Sequence, residues 1–78
     1  QIQARGWKDQ DLLTIYIAQL SNDVATLKSY LDKPFFSTHA LLALKRMGQE
    51  DLLRSLAADV QYAYREKASA ALGGKLVP

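Results

Sequence analysis

The stretch from Asp9 to Lys33, DQDLLTIYIAQLSNDVATLKSYLDK, decides the fold class of this chain. Within it Leu13, Ile17, Leu20, Val24, Leu27 and Leu31 recur at alternating spacings of four and three residues, the period of one helix face. No Gly or Pro interrupts the pattern before Pro34. The only run with β character, Thr14 to Ile17, lies inside this longer pattern, so helix is expected there. Ser21, Asn22 and Asp23 suit a cap better than a helix interior. Because the apolar stripe keeps its phase across them, one helix over 9–33 is favoured, with a break at 21–23 as the alternative.

Working outward, Pro34 ends this region, since the residue before a proline is pushed out of helical geometry. Ser37 is a good N-cap for a second helix over 38–47, with Phe36 at N′ and Leu41 at N4 placed to form a hydrophobic staple. Lys45 and Arg46 near its end and Gly48 just beyond match the macrodipole preference and a glycine stop. Glu50 and Asp51 carry the charge sign wanted at the start of a third helix, read over 49–72 and ended by Gly73 and Gly74. On that helix Leu53, Leu56, Ala57, Val60, Tyr64 and Ala71 fall on the inner face, with Ala68 at its margin. Tyr62 falls outside, among Arg65, Glu66 and Ser69. The expected architecture is an all-α bundle of three helices, or four if the first is broken. It forms a single domain over 1–78, with an N-terminal arm at 1–8 and a tail at 73–78. Leu76, Val77 and Pro78 match the opening of the linker that commonly precedes a protease-removable tag, so no function is assigned to them.

A chain of 78 residues buries only about 60 to 65% of its unfolded surface, so it depends on good helix packing or on a partner. The absence of Cys removes disulfides and thiolate metal sites together. With 49% hydrophobic and 23% charged residues the composition supports a core rather than disorder. The longest apolar uncharged stretch, Leu12 to Asn22, is too short for a bilayer span. The chain opens on Gln1 without a signal-peptide pattern and is expected to be a processed or trimmed product. Its lack of Cys fits the cytoplasm.

No catalytic constellation emerges. One His, no Cys and no pair of carboxylates at one-turn spacing from a His leave neither a metal site nor a nucleophile with its base. His39 is read as a solvent-exposed or locally bonded imidazole. Asp9, Asp11, Glu50 and Asp51 are accounted for by helix starts. Gly73 and Gly74 make no phosphate loop, because no strand precedes them and no helix follows. The expectation is a non-enzyme without cofactor or metal.

Ten cations and eight anions are interspersed, giving a net charge of +2 without the basic stripe that nucleic-acid binding uses. A short helix, a glycine corner and a further helix do resemble a helix-turn-helix in outline. Glu50 and Asp51, however, would stand at the end of the recognition helix that approaches phosphates. A nucleic-acid-associated helical protein using Lys45, Arg46, Arg54 and Arg65 is therefore the second reading.

The first half of the opening helix has more apolar surface than one buried face needs. Leu13, Ile17 and Leu20 form the stripe expected to face the core, and Leu12, Ile15 and Tyr16 form a second beside it. That second stripe must be covered by the rest of a bundle in which this helix is central, by Trp7 and the arm, or by a partner. The leading expectation is a protein-interaction module or accessory subunit, with a two-fold homodimer as its simplest form. Leu12, Ile15, Tyr16, Tyr62 and Arg65 are the candidate partner-binding residues.

Overall fold

The computed structural model describes residues 2–77, with side chains described from Gln10 onward. Among the described residues there are five helices and no strand: α1 (Ile2–Leu20), α2 (Val24–Lys28), α3 (Phe36–Arg46), α4 (Glu50–Ala58) and α5 (Arg65–Leu72). The all-α reading holds. The boundaries differ from expectation at the start of α1 and in three further places. α1 begins at Ile2 rather than near Asp9. The side chain of Trp7, one of the expected covers, lies outside the described residues.

The first difference is the break at Ser21 to Asp23, where one continuous helix had the better claim. Asn22 sits in the left-handed region at φ 58°. The Asp23 amide reaches back to the Ala18 carbonyl at 2.8 Å and the Asn22 amide to that of Gln19 at 3.4 Å. This is the six-to-one and five-to-two pairing of a Schellman closure. Asp23 then caps α2: its carboxylate accepts from the Thr26 amide at 3.2 Å and from the Thr26 hydroxyl at 2.6 Å. Stop and start are thus built from adjacent residues, and the carboxyl of Asp23 is held below its usual pKa by those same hydrogen bonds. Nor does helix continue to Lys33. Beyond Lys28 the chain closes in short turns, with the amides of Tyr30, Leu31 and Lys33 bonded to the carbonyls of Leu27, Lys28 and Tyr30.

The second difference is at the start of α3. Ser37 does not cap it; the helix begins at Phe36, and Ser37 is fully buried in the first turn. Its hydroxyl is engaged elsewhere, donating to the Pro34 carbonyl at 3.4 Å and accepting from a cation of α5. The Lys67 ammonium donates to the Pro34 carbonyl at 3.0 Å and to the Ser37 hydroxyl at 3.2 Å, while lying 4.6 Å from the centre of the Tyr64 ring. Tyr64 itself is half-buried against the core, as expected.

The third is the division of the expected 49–72 helix. Asp59 turns extended at ψ 103° and its carboxylate accepts from the Gln61 amide at 3.0 Å. This is an Asx turn, an alternative that Asp offers the backbone in competition with helix. Val60, expected on the inner face, is consequently 76% exposed. The glycine stops do fall where expected. Gly48 (φ 77°) and Gly74 (φ 72°) close α3 and α5 with the same pairing as Asn22, through Gln49 to Leu44 at 2.9 Å and Lys75 to Ala70 at 2.8 Å.

Packing centres on α3, which touches each of the other four helices, and not on α1. Ala40, Leu41, Ala43 and Leu44 of α3 meet Leu27, Leu31, Leu53, Ala68 and Ala71 in one buried cluster that also takes Ile15 and Ala18 of α1. Phe36 is buried among them and meets the Tyr30 ring edge-on at 5.7 Å.

Asn22 and Gly48 give a direct test of the helix stops. No neighbour lies within 4 Å of a Cβ built on Gly48, so Gly48→Ala has only the conformational cost, about 1 to 2 kcal/mol. Asn22→Ala should also lower the urea-derived stability, by about 1 kcal/mol, whereas Asn22→Gly should leave it unchanged or raise it. Equal stability of the Ala and Gly variants at position 22 would contradict the left-handed assignment.

Candidate functional site

Among the described residues α1 lies against α2 and α3 and not against α4 or α5. The face it buries is the reverse of the expected one. Ile15 and Ala18 are buried and Leu12 packs beside them, whereas Leu13, Tyr16, Ile17 and Leu20 are 54%, 54%, 52% and 65% exposed. The expected core stripe of Leu13, Ile17 and Leu20 therefore faces out, and of the expected outer set only Tyr16 does. The inward face carries two polar residues that find partners. Asp11 accepts from the Tyr30 hydroxyl at 3.0 Å, and Gln19 accepts from the Arg46 guanidinium at 3.5 Å. Desolvation and the Asp11 carboxylate raise the Tyr30 pKa. With those groups satisfied, Asp11 and Gln19 can flank Ile15 and Ala18 at the contact.

The outward residues stand at i, i+3, i+4 and i+7, one continuous ridge along two helical turns. The ridge runs between two shallow grooves. One, of about 230 Å3, lies toward α2 and is lined by Thr14, Ile17, Ala18, Ser21, Asp23 and Thr26. The other, of about 200 Å3, lies toward α3 and is lined by Leu12, Ile15, Tyr16, Gln19, His39 and Arg46. Three of the five sequence-derived candidates, Leu12, Ile15 and Tyr16, thus share one groove, with buried Ile15 among its lining residues.

Tyr62 and Arg65 belong elsewhere. Tyr62, expected on the outer face, is only 8% exposed, and its hydroxyl donates to the Leu31 carbonyl at 2.8 Å. The turn at Asp59 rotates it inward, where it ties the α4 to α5 connection onto the α2 to α3 connection. Arg65 is exposed at the start of α5, which packs on α3 and α4 and away from α1. Burial pushes the Tyr62 phenol up to about 12, helped by the Asp32 and Tyr64 charges. Because the folded pKa lies above the unfolded value near 10, the stability this group contributes is present below pH 10 and lost as pH rises toward 12. Tyr62→Phe leaves the Leu31 carbonyl without its donor and should cost about 1 to 3 kcal/mol. In a tyrosinate absorbance titration of the native protein the last phenol to ionise should be the one that Tyr62→Phe removes.

The four cations of the nucleic-acid reading are distributed over α3, α4 and α5, and two are paired inside the chain. Lys45 forms a salt bridge with Glu50 at 2.9 Å and reaches the Leu72 carbonyl at 3.4 Å, while Arg54 pairs with Asp51 one turn earlier. The Lys45 bridge lowers the Glu50 pKa. His39 is half-buried, with its ring edge-on to Phe35 at 5.1 Å. Burial first, and then the Arg46 charge, lower its pKa from 6.5. Its contribution to stability is therefore present above pH 6.5 and lost as pH falls below that value, because the unfolded chain takes the proton first. An NMR titration should place the His39 midpoint below 6.5, and Arg46→Gln should move it upward.

A larger hollow of about 660 Å3 is bordered by Asp11, Ser29, Tyr30, Lys33, Pro34, Phe35 and Phe36. Two of the polar groups at its wall are engaged within the chain, Asp11 with Tyr30 and the Pro34 carbonyl with Lys67. It presents aromatic surface and the Lys33 charge at its rim rather than a convergent set of hydrogen-bonding groups. Among the described residues no cluster of three or more His, Cys, Asp or Glu side chains could hold a metal ion. No helix among them is long and apolar enough to cross a membrane. No protein-family model matches this sequence, and neither a curated protein nor a solved structure matches it.

Proposed function

We propose that this chain is a non-enzymatic protein-interaction module that docks through α1. The observation that carries this reading is the ridge of Leu13, Tyr16, Ile17 and Leu20, four large apolar side chains each more than half exposed on adjacent turns. A contiguous apolar patch of that kind marks an interaction surface more often than scattered exposed leucines do. Its spacing is that of a helix docking against another apolar helix or groove.

Covering the exposed halves of four such side chains is worth on the order of 3 to 6 kcal/mol before the cost of association. That cost, about 4 to 15 kcal/mol, equals or exceeds the gain, so the ridge alone does not hold a partner. Binding must also draw on the grooves at either side, which receive side chains from the partner. The buried positions Ile15 and Tyr62 serve the fold in this reading, and Leu12 supports the groove beside the ridge.

Site-specific photo-cross-linking tests the proposal. A photoreactive phenylalanine analogue at Tyr16, in purified protein and in extract of the source cell, should yield discrete protein adducts that Ile17→Glu abolishes. The same probe at exposed Arg65 serves as the control face. Absence of adducts at Tyr16, or equal labelling from Arg65, would count against docking through α1.

A further inference from the structure

We infer that the occupant of the α1 face is a second copy of this chain, docked antiparallel about a two-fold axis beside the Tyr16 to Ile17 peptide. The inference rests on the interaction reading above and supplies its partner. A two-fold interface uses the same patch on both sides, so that patch must contain both what protrudes and what receives. The α1 face contains both: the apolar ridge lies between the two grooves, and in each copy the ridge can enter a groove of the other.

The order of residues along the ridge fits the same symmetry. With antiparallel helices crossing between Tyr16 and Ile17, Leu13 stands opposite the partner's Leu20 and Tyr16 opposite the partner's Ile17. The set maps onto itself, and each exposed apolar side chain meets another. Charge points the same way. Between Asp11 and Asp23 the chain has no Asp, Glu, Lys or Arg, so the ridges themselves bring no like charges together, and the charges beside them, Arg46 in one groove and Asp23 in the other, are of opposite sign.

Sedimentation equilibrium of the full chain between about 10 μM and about 1 mM, the range suited to an interface of this small size, should show the mass rising from 8.7 kDa toward twice that value. Ile17→Glu, a change at an exposed position, should hold the protein at the monomer mass with an unchanged helical circular-dichroism spectrum. Because the chain has no Cys, orientation can be read by oxidation. A mixture of Leu13→Cys and Leu20→Cys proteins should form the mixed disulfide well ahead of either self-linked dimer. Faster self-linking of each variant would indicate parallel pairing and overturn the arrangement. A monomer throughout the concentration range would overturn the second copy as occupant, and adducts from Tyr16 to a different protein would then leave the docking reading standing without it.

Discussion

Ala40, Leu41 and Leu44 have no exposed surface, and all three belong to α3, the one helix that touches every other. A helix buried on several sides constrains its neighbours more than any surface helix can, because each must present an apolar face toward it at packing distance. Its ends are fixed as firmly as its middle. Lys67 from α5 ties the Pro34 carbonyl and the Ser37 hydroxyl at the start, and Gly48 turns the chain back at the end. α1 is long, and only part of its surface meets α2 and α3.

The connection between α2 and α3 shows how a segment without regular helix is held in so small a protein. Tyr62 secures Leu31, Lys67 secures Pro34, and Tyr30 reaches from this segment to Asp11 on α1. These three side chains link α1, the α4 to α5 turn and α5 to one stretch of chain. No disulfide is present, so polar contacts at long sequence separation, laid over the apolar cluster, take over part of the role of cross-links.

Much of the fold was legible in local chemistry. Gly48 and the Gly73 to Gly74 pair act through backbone geometry alone, so their effects could be placed from sequence, whereas Pro34 ends no helix because α2 already stops at Lys28. Asn22 was readable only as one of two outcomes, since the preserved apolar phase across Ser21 to Asp23 argued for helix and the capping residues against it. Asp59 was not readable in the same way: no Gly or Pro follows before Gly73, and its Asx turn is accompanied by a contact at long sequence separation, Tyr62 to the Leu31 carbonyl. Missing that turn misassigns the residues in it, so Tyr62 was expected outside and Val60 inside, whereas Tyr64, Ala68 and Ala71 beyond it do face the core.

The inversion of α1 has a related cause and bears on function. Ranking its faces by apolarity alone sends Leu13, Ile17 and Leu20 inward, because Asp11 and Gln19 would be costly to bury unpaired. Their partners, Tyr30 and Arg46, come from distant points of the chain, and neither pairing leaves a trace in local spacing. Once these groups are satisfied, the narrower face built on Ala18 can approach the core closely, and the broader apolar face is left outward. Elsewhere the charges in reach of one another pair within the chain, as Lys45 with Glu50 and Arg54 with Asp51 do. The ridge is accordingly an apolar surface without charge of its own, and recognition there depends on shape and burial rather than on electrostatic steering.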